Sequence, residues 1–339
     1  MNDEAPSELP AEVQEAEPRH DEFAQHAERI ASVRAAIGKA FIGQQEVIDQ
    51  VLIALFAGGH VLLEGVPGLG KTLLVRALAQ SFNGNFARIQ FTPDLMPSDV
   101  SGHALYDPRR EEFRIRRGPV FTNLLLADEI NRAPAKTQAA LLEVMQELQV
   151  TIEGKSFALP PPFMTVATQN PIEHEGTYPL PEAQLDRFLF NVRIDYPQHD
   201  TETALVTSVV RGQVGESLNV SSVPQVMTAK DLLAAQQAVS RITVDERVID
   251  YAVRIAAATR DWPGLSVGAG PRGSIAMIRA ARASALIAGR DFCVPDDVRE
   301  VALPTLRHRI ILAPELEIEA YRPDDIIGEV LKKVDAPRE

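Results

Sequence analysis

The feature that most constrains this sequence is the segment GVPGLGKT at residues 65–72. It follows the short apolar run HVLLE and precedes a stretch of helical periodicity at 73–82. This order matches G-x-x-x-x-G-K-[ST], a strand-to-helix turn whose backbone N–H groups surround phosphate. The pattern predicts that Lys71 contacts the β- and γ-phosphates and that Thr72 binds Mg²⁺. The predicted nucleotide contacts are Gly65, Pro67, Gly68, Leu69, Gly70, Lys71, Thr72 and Leu73.

Five short apolar runs predict the strands of an α/β fold. They lie at residues 60–64, 86–91, 123–128, 163–168 and 188–194. Helical periodicity at 73–82 and 136–148 separates several of them, and such alternation predicts a doubly wound, mostly parallel five-stranded sheet. Beyond residue 196 the apolar spacing is helical, at 201–210, 229–239, 245–259, 273–288 and 324–334. We therefore expect a P-loop core followed by a helical lid domain.

The acidic residues are concentrated at the N-terminus. The formal net charge is −13, and residues 1–28 contain nine acidic residues against one basic residue, Arg19. Residues 1–20 are rich in Glu, Pro and Ala and cannot bury enough apolar surface to become ordered. We predict a disordered acidic tail at 1–20, the ATPase core at 21–197 and the lid at 198–339. The acidic balance argues against broad electrostatic binding to nucleic acid or anionic lipid.

Cysteine content and hydropathy bear on the compartment. Cys293 is the single cysteine, so an intramolecular disulfide is impossible. The N-terminus is acidic where a signal peptide would be basic, and the most apolar stretch, at 51–66, is too short and interrupted to span a bilayer. We expect a soluble cytoplasmic protein without a membrane span.

A second motif supplies carboxylates at the end of a predicted strand. The sequence NLLLADEINR places Asp128 and Glu129 at the carboxyl end of a buried strand, the edge at which open α/β sheets bind ligands. Asp128 would hold Mg²⁺, and Glu129 would polarise a water for attack on the γ-phosphate. Taken alone, the pair is equally consistent with an acidic helix cap. Beside the phosphate loop it favours hydrolysis, and the Asn-Lys-x-Asp motif of GTPases is missing from the sequence.

Several longer segments resemble the MoxR family of AAA+ ATPases. They include FIGQQEVID, LLEGVPGLGKT, FTPDLMPSDVSG, GPVFTNLLLADEINRAPAKTQAALLEVMQE, ATQNPIEHEGTYPLPEAQLDRFLF and GAGPRG. The resemblance implies Mg²⁺-dependent ATP hydrolysis in a homo-oligomeric ring, expected to be a hexamer. It further implies that Asn170 is the sensor-1 residue that orients the attacking water. Arg187 resembles the arginine finger offered to the neighbouring subunit, with Arg132 or Arg193 as alternatives.

The same resemblance implies further roles. Arg272 resembles sensor 2, a lid arginine that contacts the γ-phosphate, and Ile42 and Gly43 resemble the loop that packs on adenine. Residues 100–118 and 150–162 correspond to two inserts that can face the central pore. The first is rich in arginine and suits an acidic partner, although such a mixed run is more often a solvated face.

The resemblance also implies the biological role. It indicates a chaperone-like factor that remodels or matures protein complexes, with a protein client and a possible partner carrying a von Willebrand factor type A domain. Two alternatives share the motifs: a nucleic-acid motor and an ATP-dependent metal chelatase subunit. The acidic balance and the lack of a recognisable nucleic-acid module in the sequence count against the motor.

Overall fold

The structure, a computed structural model, describes residues 19–170, 176–210, 220 and 222–337. The predicted tail at 1–20 therefore lies almost entirely outside the described residues. The strands are β1 Val61–Glu64, β2 Phe86–Gln90, β3 Gly102–Asp107, β4 Glu112–Arg117, β5 Leu124–Asp128, β6 Gln149–Ile152, β7 Lys155–Ala158, β8 Met164–Gln169, β9 Phe190–Arg193, β10 Leu265–Val267 and β11 Ile311–Leu312.

The helices precede, separate and follow these strands. They are α1 Arg19–Ala40, α2 Gln45–Phe56, α3 Lys71–Ser81, α4 Pro97–Ser101, α5 Ala135–Glu147, α6 Glu182–Leu185, α7 His199–Val210, α8 Ala229–Arg241, α9 Glu246–Arg260, α10 Pro271–Ile287, α11 Pro295–Leu306, α12 Pro314–Ile318 and α13 Pro323–Lys333.

The predicted five-stranded sheet is confirmed, and all its strand pairs are parallel. Its order is β2-β5-β8-β1-β9, so β5, β8 and β1 are the three central strands. Because parallel strands end at the same edge, the loops after β1, β5 and β8 meet there. The same edge of the sheet therefore carries the phosphate loop, the Asp128-Glu129 pair and Asn170.

The pleat of the central strands divides the apolar core between two faces of the sheet. On β1, Val61 and Leu63 belong to one buried cluster, whereas Leu62 belongs to the other. The first cluster also contains apolar residues of α1, α2 and α3, and the second contains residues of α5. The near-continuous apolar runs of the sequence therefore reflect strands covered on both faces.

Helices dominate the part of the chain after residue 197, as predicted, but four of its elements were not predicted, the five-residue helix α12 among them. The strands β10 and β11 pair in antiparallel fashion, although they have only three and two residues. Helix α11 was not predicted either. Pro304 lies in its last turn, and a proline there resembles a helix break in a sequence reading.

The lid helices share their buried cluster with the core helices. Apolar residues of α2 and α3 lie in the same cluster as those of α8, α9, α10, α11 and α13. Gln236 of α8 donates a hydrogen bond to the Leu55 carbonyl at 2.7 Å. The division of the chain at residue 197 therefore remains a proposal. Within the described ranges, every helix is too short or too polar to cross a bilayer.

Candidate active site

The phosphate loop joins β1 to α3 through glycines in the left-handed region. Gly68 has φ of 88° and Gly70 has φ of 77°, which other residues rarely adopt. Gly70 precedes the first helical residue, Lys71, and its carbonyl accepts the N–H of Leu74 at 3.0 Å. A Cβ on Gly65 would lie 2.6 Å from the Ile194 carbonyl oxygen. The loop therefore needs glycine for both its conformation and its packing.

Lys71 is the cation of this loop. Its Nζ donates a hydrogen bond to the Gly65 carbonyl at 2.6 Å, so the side chain lies along the inside of the loop. Burial lowers the pKa of Lys71, and the nearby carboxylates of Asp128 and Glu129 oppose that shift. A half-buried ammonium in a glycine-rich turn at a helix N-terminus is suited to phosphate.

A cleft of roughly 320 Å³ opens beside the loop, and we name it the phosphate-loop cleft. It brings together most of the predicted site, including the base candidate Glu129, and adds two residues of β2. Gly65 and Leu69 belong to the same loop without lining the cleft. The lining residues are Pro67, Gly68, Gly70, Lys71, Thr72, Leu73, Arg88, Gln90, Asp128, Glu129 and Asn170.

Thr168, at the end of β8, fixes the acidic pair. Its Oγ1 donates to Asp128 Oδ1 at 2.6 Å and accepts the Glu129 backbone N–H at 2.8 Å. Thr168 is fully buried, so these bonds are protected from water. One hydroxyl on the neighbouring strand thus sets the direction of the Asp128 carboxylate and the backbone of Glu129.

Two polar residues of β2 contact the same pair. Arg88 donates to Asp128 Oδ2 through Nη2 at 2.6 Å, and Gln90 Nε2 donates to Glu129 Oε2 at 2.7 Å. Both were missed in the sequence. The sequence does contain a signal for them, because residues two apart on a strand lie on the same face of the sheet. Two polar residues at that spacing in an otherwise apolar strand indicate a face that contacts a ligand or a charged group.

Glu129 occupies an unusual backbone conformation. Its φ of 55° places a non-glycine residue in the left-handed region, at a cost of about 1–3 kcal/mol. Its Oε2 also accepts a hydrogen bond from Arg132 Nη1 at 2.9 Å. Such strain often accompanies functional positions. The surrounding bonds from Thr168 and Gln90 are what hold this residue in place.

Hard oxygen ligands and a cationic loop are what Mg²⁺ and a triphosphate require. The Thr72 hydroxyl and the Asp128 carboxylate line the same cleft as Lys71. Asn170, which directly follows β8, is buried and lines the same cleft. The residues present therefore fit both a magnesium ion and a nucleoside triphosphate.

The remaining predicted arginines lie in a second cleft of roughly 450 Å³, which we name the arginine cleft. Arg187 and Arg272 line it together with Arg279 and Arg309, and Asp186 is its acidic residue. Its walls are Gly58, Gly59, His60, Met145, Gln146, Leu148, Phe188, Leu189, Ile275 and Ala276.

Arg187 faces this cleft without an acidic partner. Its Nη1 donates to the Leu142 carbonyl at 3.0 Å, and it forms no ion pair with any residue in the described part of the chain. The alternative finger candidates differ in this respect. Arg132 pairs with Glu129 at 2.9 Å, and Arg193 pairs with Asp324 at 3.2 Å.

Arg272 does not reach the phosphate-loop cleft of its own chain. It lies in the first turn of α10 and forms an ion pair with Asp186 at 3.6 Å. Because the start of α10 faces the arginine cleft, the contact of Arg272 with the γ-phosphate stays a prediction. A contact with the nucleotide of a neighbouring chain is a separate proposal.

Ile42 and Gly43 also lie outside the lining of the phosphate-loop cleft. They form the turn between α1 and α2, where Gly43 has φ of 81°. A Cβ on Gly43 would lie 1.9 Å from Thr201 Cγ2, so the turn packs closely on α7. The preceding Phe41 lies against Gly70 of the phosphate loop. The turn is thus near the loop, and its contact with adenine stays a prediction.

The fold and the two clefts define the class: a P-loop ATPase of the AAA+ type. Residues 60–190 match the family described as "ATPase family associated with various cellular activities (AAA)", and residues 257–330 match the AAA lid domain. The crystal structure of a candidate ATPase from Cytophaga hutchinsonii superimposes with a TM-score of 0.86 at 40% identity, over 94% of this chain and 98% of that one.

Curated relatives narrow the class. The chain is 45% identical to YeaC of Bacillus subtilis, over 89% of this chain and 92% of that protein. It is 44% identical to the chaperone MoxR1 of Mycobacterium tuberculosis, over 89% and 81% of the two chains. The MoxR protein of Methylorubrum extorquens is 32% identical over 89% and 93%. The chain belongs to the MoxR family.

Proposed function

We propose that the phosphate-loop cleft binds ATP with Mg²⁺ and hydrolyses it. The observation that carries this proposal is the meeting of Lys71, Thr72, Asp128, Glu129 and Asn170 in one cleft. Lys71 and the loop N–H groups bind phosphate, while Thr72 and Asp128 hold the metal. Magnesium, when bound, neutralises the charge that develops on the phosphates.

Glu129 acts as the base for the attacking water, and Asn170 orients that water. A carboxylate can take the proton as the water oxygen attacks the γ-phosphorus in line, while the bond from that phosphorus to the β–γ bridging oxygen breaks and ADP leaves. An amide suits the orienting role because it donates and accepts at once. The hydrogen bonds from Gln90 and Arg132 keep the Glu129 carboxylate at the cleft.

The active site is completed by a second subunit of a homo-oligomeric ring, expected to be a hexamer. Within one chain, no arginine of the arginine cleft lines the phosphate-loop cleft. A transferring phosphoryl group is stabilised by a guanidinium, which can be supplied in trans. Arg187 supplies this charge to the neighbouring nucleotide, and Arg272 approaches the same phosphates from the lid.

Hydrolysis serves to remodel a protein client in the cytoplasm, with a von Willebrand factor type A protein as a possible partner class. The chaperone name of the Mycobacterium relative supports this role. So does the hairpin of β3 and β4, which presents Tyr106 and Phe113 as a tilted aromatic pair at 5.3 Å between ring centroids. Phe113 is 74% exposed, and the same hairpin carries Arg109 and Arg110. Exposed aromatic rings beside arginines suit an acidic, extended polypeptide.

The proposal is tested by measuring ATPase rate per subunit against protein concentration, with and without Mg²⁺, alongside the particle mass with and without ATP. Shared sites predict a rate per subunit that rises with concentration as an ATP-dependent ring assembles, and that is lost with EDTA. A constant rate from a strict monomer would contradict the shared site. Full activity in EDTA would contradict the metal assignment.

A further inference from the structure

A short segment of the lid holds the backbone on both sides of Arg187. This segment, residues 307–309, follows α11 directly. Arg309, its last residue, makes the most contacts: the side chain is 4% exposed, and Nε donates to Asp186 Oδ1 at 2.7 Å. Arg309 Nη2 donates to the Phe188 carbonyl at 2.8 Å and Nη1 to the Leu189 carbonyl at 3.2 Å. The guanidinium therefore contacts the residue before Arg187 and the two residues after it.

The two residues before Arg309 reinforce the same contact. His308 Nε2 donates to the Phe188 carbonyl at 3.1 Å, and Arg307 Nη1 donates to the Asn191 carbonyl at 3.1 Å. Burial lowers the pKa of His308 well below its ordinary value, so the ring is neutral near pH 7 and its donor nitrogen keeps the bond. Three consecutive lid side chains thus bind carbonyls of the segment that leads from Arg187 into β9.

Asp186 connects this anchor to the second cleft arginine. One carboxylate oxygen accepts from Arg309, and the other lies 3.6 Å from Arg272 Nη1. Arg272 is 56% exposed, so its guanidinium extends from this bridge into the cleft. The lid arginine Arg272 is therefore linked, through Asp186 and Arg309, to the backbone on both sides of Arg187.

We propose that Arg309 is a positioning residue that sets Arg187, together with Arg272, for the nucleotide of the neighbouring subunit. This inference rests on the proposed function, because it requires Arg187 to act in trans. Arg309 does not itself reach the nucleotide. A fork of guanidinium donors fixes several carbonyls at once, which a flexible ammonium cannot do. Because reacting groups displaced by about 1 Å can lose on the order of 100-fold in rate, such an anchor matters for turnover.

The test mixes two variant subunits, each of which lacks a different half of the shared site. Lys71→Ala subunits have no working phosphate loop but can donate Arg187, whereas Arg187→Ala subunits have the loop but no finger. Mixing the two should restore ATP hydrolysis. The decisive donor is Lys71→Ala/Arg309→Gln, mixed with Arg187→Ala subunits under the same conditions. We expect at least about a tenfold lower restored rate than with the Lys71→Ala donor.

A matched control is available at the other end of α11. Arg290 forms a bidentate pair with the buried Asp297, at 2.8 and 2.5 Å, within the lid alone. The donor Lys71→Ala/Arg290→Gln removes a comparable ion pair and should restore the rate as well as Lys71→Ala does. The single variant Arg309→Gln, used as the subunit that owns the working loop beside a Lys71→Ala donor, should be active. It should also bind a fluorescent ATP analogue with unchanged affinity.

The outcomes distinguish a failure of the trans finger, Arg187, from a failure of the positioning role of Arg309. If Lys71→Ala restores no activity to Arg187→Ala subunits at any ratio, the trans finger is wrong and the role of Arg309 falls with it. If Lys71→Ala and Lys71→Ala/Arg309→Gln restore activity equally, the positioning role is wrong while the finger stands. Should Arg309→Gln fail to fold, Asp186→Asn removes the same charge contact with little change of shape, and its double variant should be an equally poor donor; full rescue by that donor would overturn the proposal.

Discussion

The phosphate-loop cleft and the arginine cleft differ in both construction and charge. The first is made by loops at one edge of the sheet and combines Lys71 and Arg88 with the carboxylates of Asp128 and Glu129. The second gathers residues from 58 to 309, with four arginines against Asp186. Two carboxylates offset the two cations of the first cleft, so a triphosphate there lacks full charge compensation. In the ring that we propose, the arginines of the second cleft supply this charge to the first cleft of the neighbouring subunit.

The two clefts also differ in which part of the chain holds their residues in place. Strand ends and the Thr168 hydroxyl fix the acidic pair within the core. In the arginine cleft, lid residue Arg309 fixes the core segment 186–189. A change in the lid should therefore alter the arginine cleft and spare the phosphate-loop cleft.

The largest effect should follow substitution of the base. Glu129→Gln keeps the size of the side chain but cannot accept a proton, so turnover should fall about 10³-fold while ATP binding is retained. The check is steady-state hydrolysis beside equilibrium binding of a fluorescent ATP analogue.

The matched control is Glu153→Gln, which makes the same change at an exposed residue that also has positive φ and lies outside both clefts. It should hydrolyse ATP at the wild-type rate. Normal turnover by Glu129→Gln would remove Glu129 as the base and weaken the contrast between the two clefts.

His60, in the wall of the arginine cleft, should make stability depend on pH. Its Nδ1 accepts the Thr165 N–H and its Nε2 donates to the Met145 carbonyl, both at 3.0 Å. Burial lowers the pKa of His60 from 6.5 to about 4. The unfolded chain therefore binds this proton at higher pH than the folded chain does. The stabilisation is complete above about pH 6.5 and declines by up to about 3 kcal/mol as pH falls towards 4.

Urea unfolding between pH 7.5 and 4.5 measures this dependence. His60→Gln should remove the part of the pH dependence of the unfolding free energy that belongs to one proton. Identical slopes in wild type and His60→Gln would show that the wall of the arginine cleft is not the dry environment described here.

The smallest of the three effects comes from two threonines on β8. Thr168→Val leaves the Glu129 N–H without its acceptor, which should cost about 1–3 kcal/mol of unfolding free energy and lower turnover. Thr165 is equally buried, yet its Oγ1 has no hydrogen-bond partner among the described residues. Thr165→Val should be neutral or stabilising.

Chemical denaturation and ATPase assays on the two valine variants make the comparison. Equal losses in both would mean that volume or β-propensity, and not the bonds to the acidic pair, decides the effect. A loss confined to Thr168→Val would establish that the phosphate-loop cleft depends on its neighbouring strand.

Contiguous signals made the core of this fold predictable. The five apolar runs correspond to the five strands of the sheet. The phosphate loop and the acidic pair could be predicted because each motif is a short continuous stretch of sequence. The contacts of Thr168, Arg88 and Gln90 could not be predicted, because they depend on β5 lying between β2 and β8. Apolar runs do not encode that strand order.

The lid was harder to predict for related reasons. With three and two residues, β10 and β11 are too short to show an alternating pattern. Arg309 contacts residues more than 120 positions earlier in the chain, and an arginine after a helix looks like a solvated side chain in sequence. The GAGPRG segment identified Arg272 as a site residue in the sequence. Its ion pair with Asp186, which directs Arg272 away from the phosphate loop of its own chain, could not be predicted from that segment.

The central claim is that each nucleotide lies between the phosphate-loop cleft of one subunit and the arginine cleft of the next. A cryo-electron microscopy structure of Glu129→Gln with ATP and Mg²⁺ tests it most directly. We expect a ring in which the Arg187 guanidinium of one subunit lies within about 3 Å of the neighbour's γ-phosphate. A ring in which Arg187 keeps its bond to the Leu142 carbonyl, while another arginine or the same chain alone contacts the γ-phosphate, would contradict it.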